Sequence, residues 1–211
     1  LLGNSAASDD HSTQYAPFVE TGHQGMVATA NVQASDAGAG ILRKGGNAVD
    51  AAVAASFAIS VTRPQSTGIG GGGFLLLYLS KEKKTLAFDF RERAPLKAHR
   101  DMFIRDGESV PSLSRTGILA VGVPGLVAGL VEVHEKYGSL PLKEVLAPAI
   151  RLAEEGFPVY PFLARAFGYR EEMLGESPAT RTVYFRNDKI LSEGELLIQK
   201  DLAKTLHAIA A

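Results

Sequence analysis

Residues 45–74, GGNAVDAAVAASFAISVTRPQSTGIGGGGF, join two extremes of composition. The first half, Ala48–Val61, is almost entirely Ala, Val, Phe, Ile and Ser, with no helix breaker. A helix apolar on every side has to be surrounded by other elements. Its many alanines also predict that neighbouring backbones come close. The second half is a glycine cluster closing on Phe74. Pro64 drives Arg63 out of helical geometry, so Thr62–Gly73 is expected to be a loop. The four consecutive glycines Gly70–Gly73 permit backbone shapes that a Cβ forbids. Phe74–Ser80 (FLLLYLS) reads as a strand apolar on both faces. The order is therefore buried helix, tight loop, strand, and the rest of the chain has to supply the cover.

The flanks carry clear punctuation. Ser12–Gly25 is polar and irregular, and is expected on the surface. Met26–Ala30 (MVATA) is short, apolar and bounded by Gly25, and predicts a strand. Ser35–Lys44 predicts a helix with Ser35 or Asp36 as N-cap, ended by Gly45 in the left-handed region. Asn47 is the expected N-cap of the alanine-rich helix, with Asp50 near its positive end. Thr85–Arg91 predicts a second strand after a charged turn at Lys81–Lys84. Phe88 and Phe90 then share one face, and Asp89 and Arg91 the other. Further on, Asp106-Gly107 reads as a turn. Pro124 suits the first turn of a helix over Gly125–Tyr137. Pro141–Glu155, Phe157–Arg170 and Gln199–Ala211 are expected helices, the first bent by, or starting near, Pro148. Thr182–Phe185 and Lys189–Leu191 are expected to form a small hairpin around Asn187-Asp188.

Size and charge exclude several classes. A compact chain of 211 residues buries roughly 70% of its unfolded surface, so no metal or disulfide staple is required. The formal net charge is -1, with no block of like charge, which argues against a nucleic-acid groove or a polybasic membrane anchor. No run is long and apolar enough to span a bilayer as a helix. Cysteine is absent, so thiolate catalysis and Cys-ligated metals are excluded. That absence fits a bacterial periplasmic or secreted protein. Residues 1–24 read as a leader and surface segment. LLGNSAAS resembles the tail of a signal peptide with a small-residue cleavage site near Ala6–Ala7, and a disordered leader is the other reading.

Two stretches are candidates for chemistry. Gly68-Ile-Gly70-Gly-Gly-Gly73 matches G-x-G-x-x-G, but a dinucleotide site needs strand, loop, then helix. Here the order is reversed, and no GK[ST] follows, so a phosphate site is disfavoured. A close-packed turn, or a backbone bordering a small-molecule pocket, remains. The second stretch is Asp89-Phe-Arg-Glu-Arg-Ala-Pro95. An arginine at the end of a buried strand is costly unless its guanidinium meets an anion, and its planar fork matches a carboxylate. The anion is either a substrate or an acid such as Glu92 or Asp89. The five histidines show no metal-ligand spacing, and no G-x-S-x-G elbow occurs. No cofactor or metal is implied.

Taken together, these blocks resemble a known family. GMVATANVQASDAGAGILRKGGNAVDAAVAASFAISVTRPQSTGIGGGGFLLLY is similar to the start of the large subunit of gamma-glutamyltranspeptidases (glutathione hydrolases). FDFRERAP, GVPGLVAGLVEVHEKYGSLPLKEVLAPAIRLAEEGF and GELLIQKDLAKTLHAIA continue the resemblance in order, over residues 25–211. The resemblance implies an α+β fold, a four-layer αββα sandwich of the N-terminal-nucleophile hydrolase type, only partly contained in this chain. It implies a precursor that cuts itself, freeing a threonine at the start of a small subunit. That threonine cleaves the gamma-glutamyl amide of glutathione and related compounds, with its own amine as base. The acyl group passes to water or to an amino acid or peptide. By motif position Arg91 is expected to bind the α-carboxylate of the gamma-glutamyl group, and no catalytic residue is expected in this chain. Arg93 stands where the family often has another residue type, so the role is not carried to it. The expected partners are the small subunit and the remainder of the large subunit, across a large apolar interface. Two alternatives stay open: a cephalosporin acylase-like amide hydrolase of the same fold, and a non-catalytic scaffold or binding relative.

Overall fold

The computed structural model describes residues 22–211. The leader reading near Ala6–Ala7 lies outside them. The first element is α1 (Val32–Arg43), followed by α2 (Ala48–Thr62), β1 (Phe74–Leu79) and β2 (Lys84–Asp89). A small hairpin comes next, β3 (Ile104–Arg105) and β4 (Glu108–Ser109), then α3 (Leu126–Tyr137) and α4 (Leu142–Glu155). The remainder is β5 (Phe157–Pro158), α5 (Pro161–Gly168), α6 (Glu171–Glu176), α7 (Pro178–Tyr184), β6 (Phe185–Arg186), β7 (Lys189–Ile190), β8 (Leu196–Leu197) and α8 (Lys200–Ile209). The described strands pair only two by two: β1 with β2, β3 with β4, β5 with β8 and β6 with β7, all antiparallel.

Helix α2 is the centre of the core, as its composition predicts. Val53, Ala54, Phe57, Ala58 and Val61 are fully buried, and α2 packs against α1, α3 and α4. Its small residues let α1 close in: a Cβ on Gly38 would stand 2.9 Å from the Ala51 carbonyl oxygen and 3.3 Å from Ala55 Cβ. One stripe of α2 stays open, however. Ala52, Ser56 and Ile59 are exposed or half-buried, at the i, i+4, i+7 spacing of a single helix face.

The junction between α1 and α2 follows the local rules. Gly45 has φ +90, its N–H donates to Leu42 O, and the Gly46 N–H donates to Ile41 O at 3.0 Å. This is a Schellman closure. Asn47 Oδ1 accepts from the Val49 and Asp50 N–H groups, and Asp50 Oδ2 accepts from the Asn47 N–H, completing a capping box.

Several expectations are corrected. Helix α1 starts at Val32 with Asn31 as its N-cap, because the Ser35 hydroxyl is engaged instead with Thr29. Met26–Ala30 is not a strand among the described residues; it runs along the open stripe of α2 with no ladder partner. Strand β1 is apolar on both faces, but only one of them is covered among the described residues. Leu75, Leu77 and Leu79 turn inward, while Phe74, Leu76 and Tyr78 are 70%, 78% and 61% exposed. Pro124 precedes α3, whose N-cap is Gly125. Pro148 lies inside α4, not near its start. Phe157–Pro158 pairs as β5 before α5 begins, and Pro178–Tyr184 is helix, so the hairpin shrinks to β6 and β7. Both short hairpins turn where the sequence predicts, with Asp106-Gly107 and Asn187-Asp188 all at positive φ.

Candidate functional site

The glycine loop and Arg91 meet as neighbours. Strands β1 and β2 pair in a register that sets Phe74 opposite Asp89. The pairing continues one residue further, where Gly73 and Phe90 exchange both backbone hydrogen bonds, at 3.3 and 3.0 Å. A Cβ on Gly72 would stand 2.5 Å from Phe90 O, 2.7 Å from Glu92 N and 2.9 Å from the carbonyl carbon of Arg91. None of the loop glycines has a left-handed φ. The loop therefore needs glycine at this point for close approach, not for an unusual conformation.

Arg91 departs from expectation in one respect. Strand β2 ends at Asp89, and the Arg91 side chain is 60% exposed, so its charge is not buried at a strand end. The alternating faces hold: Phe88 and Phe90 turn inward, while Asp89 and Arg91 are exposed. The Arg91 N–H donates to Asp89 Oδ1 at 3.0 Å. Its guanidinium Nη1 lies 3.4 Å from Glu92 Oε2, a loose contact outside hydrogen-bond geometry, and that carboxylate oxygen has no other polar partner among the described residues. Arg93 is exposed and contributes backbone pairing to Val123.

Arg91 stands on the ridge between two clefts. One, of about 580 Å³, is lined by Ser56, Ile59, Ser60, Gln65, Glu92 and Leu126 among others. The other, of about 420 Å³, carries Asp89, Glu92, Glu132 and Arg93. Its three carboxylates outnumber its two guanidiniums, Arg91 and Arg93, so it favours an anion less than the first does. In the first, Glu92 is the lone carboxylate among the lining residues. Its wall is braced from afar: Tyr160 Oη donates to Thr62 O, and Gln65 Nε2 donates to Tyr160 Oη, both at 3.2 Å. The sequence reading missed this brace, because its partners lie 95 and 98 residues apart.

At the other end of α2, Asp50 is fully buried. It accepts from the Asn47 N–H, the Ser139 N–H and hydroxyl, and the Leu140 N–H. His134 Nε2 lies 3.3 Å away. Burial pushes the Asp50 carboxyl up, but the hydrogen bonds from Ser139, Asn47 and Leu140 outweigh it and hold the group below its ordinary range. This cluster has the residue types of a catalytic triad without its arrangement. The serine donates to the aspartate, not to the histidine, so it ties helix ends together and activates no nucleophile.

The sequence profile of gamma-glutamyltranspeptidases matches residues 34–211. The chain is 49% identical over 193 residues to the glutathione hydrolase proenzyme of Bacillus subtilis, covering 90% of this chain and 33% of that protein. Its structure is similar to the gamma-glutamyltranspeptidase of Helicobacter pylori, with a TM-score of 0.87, 40% identity, and cover of 91% of this chain and 55% of that one. It is also similar to a cephalosporin acylase from Bacillus halodurans, with a TM-score of 0.77, 30% identity, and cover of 92% and 38%. The chain thus spans about one third of the length of the curated relatives it matches. Its fold is that of N-terminal-nucleophile hydrolases of this group, α+β in class.

Proposed function

This chain belongs to the gamma-glutamyltranspeptidase family, and on that premise we propose that residues 25–211 form the N-terminal part of the large subunit of a gamma-glutamyl transferase/hydrolase. Arg91 grips the α-carboxylate of the gamma-glutamyl group. The nucleophile is a threonine at the start of a small subunit, outside this sequence. Its hydroxyl oxygen attacks the gamma-amide carbonyl, its own amine takes the hydroxyl proton, and that proton leaves with the departing amine. The resulting ester is opened by water or by the amine of an acceptor amino acid or peptide, which returns the proton to the threonine oxygen. This part supplies substrate recognition and scaffold, and the enzyme acts in the periplasm or outside the cell.

The observation that carries the reading is the placement of Arg91. Its guanidinium is more than half exposed on a cleft wall and, among the described residues, has only the loose Glu92 contact, so it is available to a carboxylate in the less acidic of the two clefts. The open face of β1, with Phe74, Leu76 and Tyr78, suits cover by the rest of the enzyme. The acylase reading is weaker, since identity to that relative is lower. N-terminal sequencing of the processed complete enzyme, with glutathione and glutaryl-cephalosporin turnover compared, tests the proposal. A chain beginning with Thr and preferred turnover of glutathione are expected. A chain beginning with neither Thr, Ser nor Cys, or a preference for the glutaryl substrate, contradicts it.

A further inference from the structure

We propose that Gly72 and Gly125 are positioning residues that set the aim of Arg91, and with it the preference for substrates carrying an α-carboxylate. The inference rests on the role proposed above for Arg91. After β2 the chain passes from one backbone partner to another. Phe90 is paired with Gly73. Arg93 is paired with Val123, its N–H donating to Val123 O at 3.1 Å and its carbonyl accepting from the Val123 N–H at 2.8 Å. Arg91 and Glu92 are the two residues between these pairs. The two partner segments are themselves joined, because Gly71 O accepts from the N–H groups of Gly125 and Leu126, both at 3.0 Å. Backbone hydrogen bonds thus close a ring that includes the main chain of Arg91 and Glu92.

Two glycines let that ring close. Gly72 lies against the main chain of residues 90–92. A Cβ on Gly125 would stand 2.1 Å from Phe90 O and 3.1 Å from Arg91 O. These neighbours are main-chain atoms and cannot rotate away. Gly125 has φ -117, an ordinary conformation, and Gly72 is not left-handed. Alanine is thus acceptable to the local backbone at both positions, and its cost falls on the main chain of residues 90–92, whose displacement carries Arg91 with it. A shift of about 1 Å in a substrate-positioning group costs up to about a hundredfold in rate, because a paired guanidinium–carboxylate contact depends on its geometry. Gly70, two residues from Gly72, has nothing within 4 Å of its would-be Cβ. The two neighbouring glycines therefore differ in kind.

The test uses the complete processed enzyme and two anilides. Gamma-glutamyl-p-nitroanilide has the α-carboxylate, whereas 4-aminobutyryl-p-nitroanilide keeps the chain length and the amine but lacks it. The readout is the ratio of their kcat/KM values on one preparation, which cancels the fraction of enzyme that is folded. Arg91→Ala is expected to lower the ratio at least about tenfold. Gly72→Ala and Gly125→Ala are expected to lower it about tenfold, and Gly70→Ala to keep it within about twofold. If Arg91→Ala leaves the ratio unchanged, the underlying role of Arg91 fails. If Arg91→Ala lowers it while Gly72→Ala and Gly125→Ala behave like Gly70→Ala, the positioning role alone is overturned. Should both alanine variants yield no processed enzyme, Gly71→Ala is the milder probe, with its Cβ 3.3 Å from Gly68 O and 3.5 Å from Glu92 Oε1. A fall of about threefold is then expected, and an unchanged ratio contradicts the proposal.

Discussion

The two ends of α2 are built on opposite principles. At the N-terminal end, Asp50 has no exposed surface and accepts hydrogen bonds from three residues on two segments. At the C-terminal end the helix opens onto a cleft whose arginine has one loose contact and is mostly in water. A charge that is buried and saturated holds structure. A charge placed on a rigid backbone and left open is available to a ligand. The Asp50 cluster ties helix ends together, whereas the main chain of Arg91 is held by backbone pairing of Phe90 to Gly73 and of Arg93 to Val123.

The largest expected effect breaks the first end. Asp50→Ala leaves the N–H groups of Asn47, Ser139 and Leu140 without their acceptor, and removal of one partner from such a buried charged network costs about 3–5 kcal/mol. Thermal unfolding of the complete enzyme should show a large fall in Tm, while the preference for an α-carboxylate is kept. A variant as stable as the parent contradicts the contrast. The pH dependence sharpens it. The Asp50 carboxyl is held below its ordinary value in the folded state. Its contribution is therefore fully present above the ordinary carboxylate range and is lost as pH falls through the lower folded value. Acid titration of Tm should show a destabilisation that Asp50→Asn reduces. The smallest expected effect is at the open end. Arg91 is mostly exposed, Glu92 is half-buried and their contact is loose; such a pair contributes about 1 kcal/mol or less, so Glu92→Gln should move Tm only slightly. A large loss there would make the pair structural and weaken the case for a free guanidinium.

What could be read from the sequence follows the range of the interactions. Gly45, Asn47 and both two-residue turns were legible because their hydrogen bonds span a few residues. The N-cap of α1 was not: Asn31 and Ser35 are both competent, and the bond between Thr29 and Ser35 decides between them. The burial of α2 was legible from composition, but its open stripe was not, since an Ala-rich helix gives no periodic signal. Arg91 is singled out by its motif, while its exposure depends on where β2 ends. The distant partners of Asp50 lie 89 and 90 residues away, and no local pattern marks Ser139 or Leu140 as its donors. The match between the glycine loop and the Gly125 corner is likewise a property of the folded chain.

The central claim is that Arg91 is a substrate-binding group and not a structural cation. Steady-state turnover of gamma-glutamyl-p-nitroanilide by the complete Arg91→Ala enzyme tests it most directly. A charge-assisted contact of about 1.5–3 kcal/mol predicts a fall in kcat/KM of about tenfold to a hundredfold, with Tm close to that of the parent. An unchanged kcat/KM, or a loss of activity fully accounted for by unfolding, contradicts the claim.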